Sequence, residues 1–192
     1  MKYYKKIAGE RVYLSPLNVD DAELYAKWLN DPTVMTNLDA NRWNNSYVHV
    51  KDWFTEQAKK CDSAYRFAIV TENGDTPIGL IDFITYELVH GTATVGVFIG
   101  DEEYRSNGYG TEAVKLLVGY GFDMLRLNNI NLAVLEFNER AYKAYIKAGF
   151  KEYGRRRKAY CFKGELYDVV EMDIIREDYY GSKIKEDYYE KV

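Results

Sequence analysis

The stretch Glu102–Leu117, "EEYRSNGYGTEAVKLL", sets two glycines between a strand-like run and a helix-like one, with Arg105 three residues ahead of Gly108. Glycine permits positive φ and carries no Cβ, so at Gly108 and Gly110 several backbone amides can converge where a helix is expected to begin, near Thr111. Such a helix start binds anions. Arg105 adds a guanidinium fork suited to phosphate oxygens, and Ser106, Asn107 and Thr111 add neutral donors. The plainer alternative is a glycine-rich turn carrying a surface arginine.

Working outward, the residues ahead of the loop have a period of two. "YRFAIVT", "IGLIDFITYE" and "TATVGVFIG" are β-rich runs divided by Gly, Asn, Asp and Pro signals, which predicts an antiparallel meander. Behind the loop, "TEAVKLLVGYGFDMLRL" has helical periodicity and "INLAVLEF" is a short apolar run. "NERAYKAYIKAG" is a helix capped by Asn138 and closed by Gly149. Two final strands, "FKEYGRRRKAYCF" and "LYDVVEMDII", meet in a hairpin at Lys163-Gly164. At the other end, "ERVYLSPL" predicts a strand. A helix follows it, capped by Asn18 with Asp21 three residues on, until Asp31-Pro32 stops it. "TVMTNLDANRWNN" reads as loop, and a further helix starts at Ser46.

Two familiar phosphate loops fit poorly. A Walker loop needs Gly-Lys-Ser/Thr after its last glycine, where this chain has Thr111 and Glu112. Gly108-Tyr-Gly110-Thr-Glu-Ala113 fits the dinucleotide pattern GxGxxA, with Glu136 at the end of the next strand. Its setting is wrong: eight residues separate Ile99 from Gly108, and antiparallel strands lie on both sides.

The third pattern, R/Q-x-x-G-x-G/A, is met by Arg105, Gly108 and Gly110, and with it the chain resembles the GNAT superfamily of N-acetyltransferases. The resemblance extends over "ATVGVFIGDEEYRSNGYGTEAVKLL", "NINLAVLEFNERAYKAYIKAGFKEYGR", "GELYDVVEM" and "YLSPLNVDDAELYAKWLNDPTV", nearly the whole chain. It is closest to the branch with acetyltransferases of ribosomal-protein N-termini and of polyamines. The resemblance implies an α/β fold with a mixed, mainly antiparallel sheet of about seven strands, opened by a splay and flanked by helices. It implies acetyl-coenzyme A as co-substrate, its pyrophosphate held by Arg105, Ser106, Asn107, Gly108, Tyr109, Gly110 and Thr111. The pantetheine arm would pair with the backbone of Val97, Phe98 and Ile99 and with Asn138. Tyr145 would be the general acid for the leaving thiolate, since a phenol of pKa about 10 can donate to a thiolate of pKa about 8.5 in a dry site. Asn138, Ala141 and Tyr145 are spaced by three and four and so share a helix face. A core tyrosine is the plain alternative in a chain with nineteen.

The match departs at the base. Many relatives carry glutamate where this chain has Thr94, in Ala93-Thr94-Val95-Gly96, and threonine accepts no proton at neutral pH. Asp82, Glu136 and Asp168 are the candidate carboxylates; an ordered water chain, or an amine that arrives neutral, are the other routes. His49 and His90 are isolated, and no zinc spacing is present, so no metal is expected.

Composition narrows the rest. A chain of 192 residues, 47% apolar, predicts one domain over residues 1–176 with a short tail over 177–192 that forms a helix or meets a partner; a homodimer is compatible. A net charge of −4 argues against nucleic acid, and the run Arg155-Arg156-Arg157-Lys158 alternates between strand faces. Solvated strand residues are its plain reading, an acidic substrate or the cofactor's ribose phosphate the functional one. No apolar run approaches a membrane span. Cys61 and Cys161, far apart behind a start without a secretory h-region, read as buried thiols in a cytoplasmic protein. Acceptor contacts are expected in "LNDPTVMTNLDANRWNNSYVHV", where Trp43 and Tyr47 offer ring faces and Asp31 and Asp39 offer charge. The function expected is N-acetyl transfer to a small amine or a protein N-terminus; the rival is an acyl-coenzyme A sensor without turnover.

Overall fold

The computed structural model describes residues 2–38, 44–60 and 65–181. They form an eight-stranded sheet in the order β1-β2-β3-β4-β5-β6-β8-β7. In chain order the strands are β1 (Ile7–Ala8), β2 (Val12–Ser15), β3 (Arg66–Thr71), β4 (Pro77–Glu87), β5 (Thr92–Ile99), β6 (Asn129–Leu135), β7 (Lys151–Phe162) and β8 (Glu165–Ile175). The helices are α1 (Ala22–Trp28), α2 (Pro32–Met35), α3 (Tyr47–Lys59), α4 (Tyr109–Asp123), α5 (Glu139–Ala148) and α6 (Arg176–Tyr180). The described residues fall into two compact units, one drawn from positions 2–83 and 96–117 and the other from 84–95 and 118–181.

In the first unit, β2 pairs antiparallel with β1 and β3, and β3 with β4. Their apolar faces bury Tyr13, Ala68 and Val70 together with Tyr3. The amphipathic helices α1 and α3 close a second cluster of Tyr25, Trp28, Val50, Phe54 and Leu80, with Phe98 packed against it. Tyr25 is fully buried, and its hydroxyl donates to the Gly79 carbonyl at 2.8 Å, which satisfies the polar tip.

In the second unit, β6 runs antiparallel to β8, which pairs with β7. Ile130, Leu132 and Val134 alternate with Asn129, Asn131 and Ala133, so one face of β6 is buried and the other is partly open. The β7–β8 turn has positive φ at both Lys163 and Gly164, the twist a two-residue hairpin requires. Asn138 caps α5 through the Ala141 amide, and Gly149 ends it at φ 105°, as the sequence predicts.

The expected mixed, mainly antiparallel sheet of about seven strands is present with eight, the two-residue β1 being too short to show alternation in the sequence. Three other expectations are corrected. Asp31-Pro32 ends one helix but also begins another: Asp31 accepts from the Thr33 amide and proline occupies the first turn of α2, where its missing N–H costs nothing. The segment read as loop thus holds α2 and a 3-10 turn at Thr36–Leu38. Cys161 is exposed, because strand alternation buries its neighbour Tyr160 instead; Cys61 lies outside the described residues. Finally, α4 begins at Tyr109, so Gly110 is a helical residue.

Candidate active site

The glycine loop belongs to the first unit. Ser106 has φ 64° and Gly108 has φ 85°, which turns successive amides to the same side ahead of α4. The Arg105 amide is used by the Glu102 carbonyl, and the Glu112 amide by Gly108. Between them, among the described residues, the amides of Ser106, Asn107, Gly108, Tyr109, Gly110 and Thr111 have no hydrogen-bond acceptor. The Asn107 carbonyl, which a regular first turn would offer to Thr111, instead accepts from Arg11 Nη1 at 2.9 Å. A row of unsatisfied donors at a helix start is an anion site in its chemistry.

Arg105 is placed differently from the phosphate fork that its position suggests. Its Nε donates to the Ile99 carbonyl, Nη1 to Thr33 Oγ1, and Nη2 to the Gly100 carbonyl and Asp31. The side chain is only 11% exposed, so this guanidinium holds the loop's shape from within. The Thr33 amide and hydroxyl, and then Arg105, hold the Asp31 carboxyl below its usual range, which commits Asp31 to this knot.

A contact missed in the sequence supports the loop from β2. The Glu112 carboxylate accepts from the amides of Glu10, Arg11 and Val12 and from Arg11 Nε. Burial raises the Glu112 carboxyl, but these hydrogen bonds outweigh it and the net shift is downward. Arg11 lies over the Tyr109 ring, and its Nη2 stands 3.1 Å from where a Cβ on Gly108 would be. About one hundred positions separate these partners, and no local motif announces them.

Along β5, Gly100 donates to the Ile78 carbonyl and the Phe98 carbonyl lies against Gly79. By alternation Val97 and Ile99 turn their peptide groups away from β4. The Phe98 peptide is therefore engaged with β4, and its ring packs edge-on to Tyr25 and Trp28.

In the second unit, Asn138 spends Oδ1 on the Ala141 amide, and among the described residues its Nδ2 has no acceptor. Tyr145 lies two turns on, and burial pushes its phenol up to about 12. Among the described residues nothing hydrogen-bonds its hydroxyl. The side chain is partly exposed, so its hydroxyl is within reach of a ligand, and a protonated donor without a partner is the state a general acid needs.

The three candidate carboxylates are all engaged. Asp82 is buried, which raises its carboxyl, and Arg66 opposes the shift with an ion pair of 2.6 Å. Glu136 accepts from the Asp168 amide, and Asp168 from the Lys158 amide at a bulge in β7. Thr94 donates to Asn131 Oδ1 at 2.9 Å and accepts from Thr85 at 3.0 Å. In the basic run, Arg155 pairs with Glu152 and Arg156 with Glu171. Tyr47 is exposed beneath Lys51, whereas Asp39 and Trp43 lie outside the described residues. No helix among the described residues is long and apolar enough to cross a membrane.

Comparison with known proteins gives the family. The acetyltransferase (GNAT) domain family matches residues 11–151. The spermidine N(1)-acetyltransferase of Escherichia coli (strain K12) is 27% identical over 172 residues, 90% of each chain. The SPbeta prophage-derived uncharacterized N-acetyltransferase YokL of Bacillus subtilis (strain 168) is 26% identical over 172 residues, 89% of this chain and 93% of that one. Among solved structures, spermidine N-acetyltransferase from Vibrio cholerae, crystallised with CoA and spermine, superposes with a TM-score of 0.80 at 21% identity, over 90% of this chain and all of that one. At that identity the likeness speaks for the fold.

Proposed function

The chain belongs to the GNAT acetyltransferase family, and on that premise we propose that it moves an acetyl group from acetyl-coenzyme A to a primary amine by direct attack in a ternary complex. The observation that carries this reading is the row of amides from Ser106 to Thr111 without acceptors. A pyrophosphate supplies the charged acceptors they lack. Arg105 then acts by keeping the loop open, and Arg11 by bracing it from outside. The Val97 peptide group and the Ile99 amide suit the amide-bearing pantetheine arm, as an added strand would, while the Ile99 carbonyl is taken by Arg105 Nε. Asn138 Nδ2 is a further donor for that arm.

In the reaction the amine lone pair forms a C–N bond to the thioester carbon, and the C–S bond then breaks with its electron pair leaving on sulfur. Tyr145 donates to that sulfur. Its raised pKa keeps it protonated across the physiological range. A polyamine is the acceptor class that the spermidine N(1)-acetyltransferase relative supports; a protein N-terminus is the alternative within the same chemistry.

Titration calorimetry tests the assignment of the loop. Acetyl-coenzyme A should bind at least ten-fold more tightly than acetyl-pantetheine, which has no pyrophosphate. Equal affinities would contradict it.

A further inference from the structure

We infer that Thr94 and Asn131 receive the acceptor amine as its uncharged free base, so that the reaction draws on the neutral fraction of the amine and uses no protein carboxylate to deprotonate it. The inference deepens the acetyl-transfer reading and rests on it.

The geometry is a polar row across three strands. Thr85 on β4 donates to Thr94 on β5, which donates to Asn131 on β6. Thr94 and Asn131 are also the last registered parallel pair: β5 continues to Ile99 and β6 to Leu135 beyond it. Both side chains are partly exposed.

Donor and acceptor capacity then defines the ligand. A hydroxyl has one proton and two lone pairs. Thr94 gives its proton to Asn131 and takes one from Thr85, leaving one lone pair. Asn131 Oδ1 likewise keeps one. Together they can accept two N–H bonds, the number a free primary amine offers, while its lone pair stays available for attack. An ammonium would bring a third N–H and a full charge to a pair that has no charge to answer it.

Of the charged groups along the same row, Glu171 and Lys151 are ion-paired and Glu87 is hydrogen-bonded, while Asp173 keeps its charge beside a neutral partner and, with Glu171, faces the Tyr153 phenol. Asp173, opposite Asn131 on β8, accepts from Asn129 Nδ2 at 2.8 Å. Glu171, on the same face of β8, is paired with Arg156. Lys151, opposite Asp173 on β7, is paired with Asp178, and Glu87 on β4 accepts the Val89 amide. The step balances without an external base: a neutral amine attacks, Tyr145 gives its proton to sulfur, which leaves as the thiol, and the proton that nitrogen then loses restores the Tyr145 phenol.

The test is the pH profile of kcat/KM for the amine, measured on the wild-type protein with a lysine-free dipeptide amide and with spermidine. The α-amine titrates near about 8, and spermidine's alkyl amines are of the lysine type, near about 10. For each amine that turns over, kcat/KM should rise about ten-fold per pH unit and level at that amine's own pKa. Levelling of every substrate at one fixed pH below those values would overturn the inference, by assigning the proton to a protein group. Turnover of neither amine would overturn this inference, whereas the acetyl-transfer reading falls only if aminoglycosides and folded proteins with free N-termini are silent as well. Asp173→Asn should leave the break where it is; a shifted break would make Asp173 the base. Thr94→Val should raise the amine KM roughly 3- to 10-fold, the loss of a neutral hydrogen bond, with the acetyl-coenzyme A KM unchanged and Thr94→Ser restoring it. Equal effects on both KM values would show a structural role and overturn the inference.

Discussion

Gly108 and Gly110 differ in what a side chain would meet. A Cβ at Gly108 would press on Arg11 at a positive φ, whereas at Gly110 it would touch only Ile99 at an ordinary 3.6 Å. Gly110 is therefore the informative site. Gly110→Asp should fold normally and lose acetyl-coenzyme A affinity by ten-fold or more, because a carboxylate would stand where phosphate oxygens belong. Unchanged affinity in calorimetry would remove the loop from the site. Tyr145→Phe keeps the ring and deletes the proton; kcat should fall by roughly 10²-fold with cofactor affinity kept. With its pKa at about 12, Tyr145 should also impose no falling alkaline limb on kcat below about pH 11. Arg105 shows where reading residue types stops. Its motif position was legible, but the four acceptors that take its donors are carbonyls and side chains brought in by folding, two of them from the Asp31-to-Thr33 turn.

At the scale of elements, the loop is held on two sides. Arg105 ties it to the start of α2, and Glu112 ties α4 to the strand edge at Glu10–Val12. Arg105→Ala should cost about 2–3 kcal/mol, since it leaves buried acceptors unpaired, and it should expose the 101–110 loop to limited proteolysis. For Glu112 the sign follows from a carboxyl held low in the folded state. Its contribution is present above the unfolded pKa of about 4.5 and is lost as pH falls through the folded value. Glu112→Gln should therefore lower stability at pH 7 and flatten the acid side of the unfolding curve. The strands, the hairpin at Lys163-Gly164 and the caps of α5 were legible because each rests on a local period or a single backbone demand. α2 was not, because Asp-Pro signals both an end and a beginning, and the choice between them depends on Arg105, seventy-four positions away.

At the scale of the whole molecule, the family supplies the reaction and this chain supplies the departure from it. Thr94 offers no proton acceptor for an ammonium, and Asp82, Glu136 and Asp168 each serve a hydrogen bond or ion pair of the fold. On the reading proposed above, transfer depends on the Tyr145 donor and on the state in which the amine arrives. The central claim is acetyl transfer itself, and the most direct measurement is thiol release from acetyl-coenzyme A, followed with mass analysis of the amine after spermidine is added. The account predicts one thiol released for each acetyl group found on the amine, at a rate well above hydrolysis in its absence. Cofactor binding by folded protein, with no thiol release above hydrolysis for spermidine, for aminoglycosides, for short peptides or for folded proteins with free N-termini, would contradict it.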